Sequence, residues 1–156
     1  ERVARREGLD LADEERQALG DSLPTWPPFD EVPSSLAELR SLGWRIGILS
    51  NTDPEFLDAS LEAIGVPVDL RITAAEAGSY KPAHGHWERF FEQTGAERER
   101  HAHVAASLFH DIAPANELGL RAVWINRLRE TSDLPRAAEL GDLSKLPETL
   151  DDLVGA

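Results

Sequence analysis

The chain has 156 residues, 41% of them hydrophobic and 29% charged, enough for one domain with a real core. Its formal charge of −13 argues against nucleic acid or an anionic membrane as partner, because either would be repelled. There is no cysteine to form a disulfide or a thiolate metal site, and no apolar run approaches the ~20 residues that span a bilayer.

Residues 1–22, rich in Arg, Glu, Ala and Leu, are expected to be helical with a break at Gly20-Asp21. Residues 23–33 carry four prolines, which lack an amide proton and clash with a preceding helical turn, so this stretch reads as an ordered linker. A strand–helix alternation follows. Residues 34–42 form a short amphipathic helix stopped by Gly43, and the apolar run 45–50 suits a buried parallel strand. Asp53 is expected to cap a helix that starts at Pro54. Strand 68–72, helix 83–94 and strand 103–107 come next. Asp111 is then expected to cap a helix with Pro114 in its first turn, followed by strand 120–125 and a last helix over 146–154. Such alternation implies an α/β fold with a parallel sheet and right-handed crossovers. Ligands of such sheets gather beyond the carboxyl ends of the strands, so the polar groups just after each strand deserve scrutiny.

Three of these places are spaced about 30 residues apart: Ser50-Asn51, Tyr80-Lys81-Pro82, and Ser107 to Asp111. Singly, each has an ordinary explanation as turn chemistry, a solvated lysine or a helix cap. In order, they resemble the haloacid dehalogenase superfamily. Gly47-Ile48-Leu49-Ser50-Asn51 resembles its second motif, Gly78-Ser79-Tyr80-Lys81-Pro82 its third, and His103 to Ile112 its fourth. The Ser50-Asn51 pairing and the wording of the fourth motif are similar to the 2-haloacid-dehalogenase branch.

The resemblance implies a three-layer, Rossmann-like α/β core over residues 34–156, a linker over 24–33, and the end of a helical cap over 1–23. It also implies a hydrolase of small anionic substrates that works through an aspartyl-ester intermediate. Lys81, Asp111 and Ser50 would be catalytic, Lys81 keeping the nucleophile ionised. Ser50, Asn51, Ser107 and Trp87 would contact substrate. The first motif, Asp-x-x-Gly-Thr on the central strand, is absent from these 156 residues, and there is no methionine at position 1 or elsewhere. The nucleophile is therefore expected upstream of Glu1, and residues 1–156 alone are expected to fold poorly, because the neighbours of the missing strand keep unpaired edges.

Ala106 stands where phosphatases carry an acidic residue, leaving Asp111 as the one candidate magnesium ligand. No cofactor is expected on the dehalogenase reading, and magnesium only if the protein is a phosphatase. Trp87 and Leu108 stand where the dehalogenases carry Tyr and Asn. A magnesium-dependent phosphatase and a non-catalytic descendant of the fold remain as alternatives. His101 and His103, two apart, would share one face of a strand, the spacing of a metal-binding pair. With no secretory signal visible, a cytoplasmic location is expected.

Overall fold

The computed structural model describes residues 6–8, 10–12, 15 and 18–154. The principal elements are α1 (Ala18–Ser22), α2 (Val32–Ser41), β1 (Gly47–Ser50), α3 (Pro54–Ile64), β2 (Leu70–Thr73), α4 (Ala74–Ala77), α5 (Gly85–Thr94), β3 (Ala102–Ala105), α6 (Ala113–Glu117), β4 (Arg121–Ile125), β5 (Ala138–Leu140) and α7 (Leu146–Val154). All strand pairs are parallel: β1 with β2, β3 with β4, and β4 with β5.

The layering follows from alternation along β4. Val123 and Ile125 pack on Leu36 and Leu39 of α2 and on Leu146 and Leu150 of α7. Ala122 and Trp124 point the other way, into a cluster with Trp87, Ile112, Ala115 and Leu120. Successive side chains of a strand leave on opposite faces, so a strand buried on both sides places the sheet between two helical layers.

The strands form two ladders, β1-β2 and β3-β4-β5, with no backbone pairing between β1 and β3. The ladders nevertheless share a core. Leu49 and Ala105 both pack on the Trp87–Trp124 cluster, and Ile46, Ala102 and Val104 pack on the α2–α7 side.

Several local expectations need correction. Helix α1 runs through Gly20 and Asp21, where a break was expected, and passes into a 3-10 turn at Leu23–Thr25. The remainder of the expected N-terminal helix lies largely outside the described residues. Helix α2 starts at Val32 rather than Ser34, because Pro33 in a first turn forfeits no helical hydrogen bond. Asp53 precedes α3 as expected, but its side chain makes no capping bond. Asp111 caps nothing: it lies within a turn of π-helix, Leu108–Ile112, whose N-cap is Ser107. Strand β5, three residues long, was too short to be read from pattern. No helix among the described residues is long and apolar enough to cross a membrane.

Candidate active site

Strand β1 ends at Ser50, and the chain beyond it is tied to the Lys81 loop. The Asn51 amide donates to the Lys81 carbonyl at 3.0 Å and accepts from the Lys81 N–H at 2.7 Å. This reciprocal pair fixes the lysine's backbone, and the side chain turns back onto β1. There its Nζ donates to the Leu49 carbonyl at 2.9 Å and to Asp111 Oδ1 at 2.7 Å. The Ser50 hydroxyl accepts from the Thr52 N–H at 3.2 Å. The Ser50 carbonyl lies 2.9 Å from His86 Nε2. A carbonyl only accepts, so His86 carries its proton on Nε2, and its sealed Nδ1 has no partner among the described residues. Burial lowers the His86 pKa below its usual value.

The route into this loop is fixed locally. Thr73 and Glu76 form a capping box at the start of α4, and the Thr73 bonds hold the Glu76 carboxyl below its ordinary range. Gly85, opening α5, allows a close crossing: a Cβ there would stand 2.3 Å from Ser79 Oγ and 2.9 Å from the Ala77 carbonyl.

Asp111 enters from the other ladder, after β3. Ser107 accepts the His110 N–H at 3.1 Å and shapes the turn that delivers it. The aspartate is only 6% exposed. Burial opposes its charge, but the His103 N–H and the Lys81 ammonium outweigh this, and its carboxyl lies below the usual value. His103 Nε2 lies 3.1 Å from Oδ1, and His103 Nδ1 accepts from the Trp87 indole at 3.2 Å.

The structure thus joins Lys81 directly to Asp111 and to the Leu49 carbonyl, while the Ser50 hydroxyl, one residue on, is engaged by the Thr52 N–H. The remaining predicted residues behave differently. Asn51 holds the Lys81 loop, Ser107 caps a turn, and Trp87, expected at a pocket wall, is fully buried with its N–H on His103. Sequence reading missed His86 and His103 as partners of the site. The His101/His103 spacing drew attention to the second, but toward metal rather than toward an aspartate eight residues on. Among the described residues no group of three or more His, Cys, Asp or Glu could hold a metal ion. With one carboxylate, whose Oδ1 already takes two donors, these residues do not by themselves fit Mg²⁺, which wants several oxygen ligands. A separate cleft of about 360 Å³ beyond β4 and β5 is lined by Asn126, Arg129, Glu130, Glu139, Leu140 and Gly141. Asn126 there bonds Glu139 and the Glu130 backbone, so that loop is largely self-satisfied.

Parallel strands between two helical layers, with a buried lysine–aspartate pair where two of them end, define a Rossmann-like α/β protein with its polar site at the strand ends. The family model for haloacid dehalogenase-like hydrolases matches residues 2–119, and the chain belongs to that family. It is 33% identical over 127 residues to an (S)-2-haloacid dehalogenase of Pseudomonas sp. (strain YL), covering 80% of this chain and 54% of that protein. It is 27% identical over 132 residues to a glyceraldehyde 3-phosphate phosphatase of Methanothermobacter thermautotrophicus, covering 79% of this chain and 58% of that one. The chain therefore spans about half the length of these relatives. A crystal structure of an L-2-haloacid dehalogenase superposes with a TM-score of 0.83 at 24% identity, over 95% of this chain and 67% of that one, and so shares the fold.

Proposed function

We propose that the protein is a hydrolase of small anionic substrates, of the 2-haloacid dehalogenase type, working through an aspartyl ester with the nucleophilic aspartate upstream of Glu1. The observation that carries this reading is the Lys81–Asp111 pair, 2.7 Å apart and about nine-tenths buried, between the unpaired edges of β1 and β3. A buried ion pair is a poor source of stability, since desolvating two charges offsets most of their attraction. Its presence at the strand ends suits chemistry better than architecture.

In the proposed first step a carboxylate oxygen attacks the substrate carbon, a C–O bond forms, and the carbon–halogen bond breaks with release of halide. Water then adds to the acyl carbon of the ester. One of its protons passes to a base and on to the departing alkoxide oxygen as the tetrahedral intermediate collapses; the other is lost to solvent, so the carboxylate is restored and a hydroxy acid leaves. Lys81 holds the nucleophile ionised and offsets developing negative charge. Asp111, ionised and fixed, orients Lys81 and the attacking water. Ser50 and its neighbouring backbone bind the substrate's anionic group.

The relative that is a phosphatase supports a second reading, a magnesium-dependent phosphatase, whose further metal ligands would also lie upstream. Measuring halide release from 2-haloacids and phosphate release from small phosphomonoesters, each with and without EDTA, separates the two. Halide release indifferent to EDTA is the expected result. Phosphate release abolished by EDTA would establish the second reading.

A further inference from the structure

Hydrogen-bond donors around Asp111 fix more than its charge. The Trp87 Nε1–H can only donate, so His103 Nδ1 must be the acceptor of that 3.2 Å bond. The imidazole proton then sits on Nε2, aimed at Asp111 Oδ1 at 3.1 Å. The arrangement is determined from both ends, because an ionised Asp111 also needs a donor from His103. Trp87 is fully buried and His103 is 7% exposed, so water does not compete for these bonds. Oδ1 therefore takes two donors, His103 Nε2 and Lys81 Nζ. Oδ2 accepts no hydrogen bond from the described residues.

We propose that His103 is a positioning residue of this site: with its proton placed on Nε2 by Trp87, it holds Asp111 by Oδ1 and leaves Oδ2 as the oxygen that meets the attacking water. The role rests on the hydrolase reading above. His103 touches no substrate. It acts through Asp111, as the partners behind metal-binding histidines and catalytic carboxylates act elsewhere. The tryptophan at position 87 has one N–H and no acceptor, so it dictates the tautomer: it can bond His103 Nδ1 only when that nitrogen carries no proton.

Two substitutions divide the network. His103→Gln keeps a donor near the Nε2 position and loses the acceptor for Trp87. His103→Asn keeps an acceptor near Nδ1 and loses the donor to Asp111. His103→Gln leaves the buried Trp87 N–H unpaired, and His103→Asn takes one of two donors from the buried Asp111 carboxylate, so both should lower the urea midpoint of the complete protein. In the complete protein, His103→Gln should keep kcat within about fivefold of wild type, whereas His103→Asn should lower it about 10- to 100-fold with KM changed less than about threefold. Equal kcat losses in the two variants, or losses that follow the stability change, would overturn the proposal. Side-chain ¹⁵N NMR of the wild type provides a readout independent of turnover. A protonated Nε2 and unprotonated Nδ1 at His103 are expected, and the opposite tautomer would also overturn the proposal. Failure of the wild type to hydrolyse either substrate class sinks the hydrolase reading instead, and the tautomer still decides whether His103 holds Asp111 as described.

Discussion

At the scale of single residues the site is a set of donors converging on one carboxylate. Removing Lys81 leaves Asp111 charged, buried and held by one N–H fewer. Lys81→Ala should therefore lower stability by about 3–5 kcal/mol and activity by about 10²- to 10³-fold or more. Urea titration and steady-state turnover check the two effects separately, and unchanged turnover would remove the lysine from the mechanism. His101 makes a prediction of another kind. It stacks on Phe90 and Phe91, its Nε2 is sealed without a partner among the described residues, and burial brings its pKa down to about 4. A histidine with a folded-state pKa below the unfolded value of ~6.5 binds its proton more readily when unfolded. Its contribution is complete above pH ~6.5 and declines as the pH falls toward 4, by roughly 1.4 kcal/mol per unit at most. His101→Leu should flatten that part of the stability–pH curve. A curve of unchanged slope between pH 6.5 and 4.5 would show that another group is responsible.

Elements explain how far the sequence could be read. Strands and long helices were legible because their patterns are local: the apolar run before Ser50, and the spacing Phe56-Leu57-Leu61-Ile64 on α3. Lys81 and Asp111 were legible as a pair only through the family resemblance. Nothing in composition or spacing shows that residues 30 apart meet at 2.7 Å. Trp87 and Asn51 were given to the substrate because side-chain type and motif position say nothing about which way a residue faces. The structure turns Trp87 inward onto His103, and Asn51 across to the Lys81 backbone. The α4–α5 crossing is likewise invisible in sequence, and it makes Gly85 a point of strain for any larger residue. Gly85→Ala brings a methyl against the Ala77 backbone carbonyl, which a side-chain rotation cannot relieve. A loss of about 1–3 kcal/mol is expected by thermal or urea unfolding. Adding Ser79→Ala, which clears only the hydroxyl, should recover part of it. Wild-type stability in Gly85→Ala would mean that the α4–α5 turn is looser than described.

At the scale of the whole molecule, the two ladders meet through side chains rather than through backbone pairing. Consecutive residues of α5 do much of this: His86 holds the Ser50 carbonyl of β1, and Trp87 holds His103 of β3. Lys81 adds a third tie, from Leu49 to Asp111. Strand edges left without partners are costly and prone to association, so residues 1–156 expressed alone are expected to unfold without a sharp transition or to self-associate. A cooperative, monomeric unfolding transition would contradict this. The site's position between the same two edges links architecture to chemistry, because a strand paired there would present its last residues to Lys81 and Asp111.

That link makes the ester route the claim to test. The complete protein, in molar excess over a 2-haloacid, is allowed a single turnover in H₂¹⁸O, and the hydroxy acid product is weighed by mass spectrometry. If a carboxylate served by Lys81 and Asp111 attacks first, the oxygen joined to the substrate carbon comes from the protein, so the product is unlabelled and the label appears in the enzyme. A labelled hydroxy acid from an unlabelled enzyme would mean that water attacks the substrate directly, and the account would be wrong.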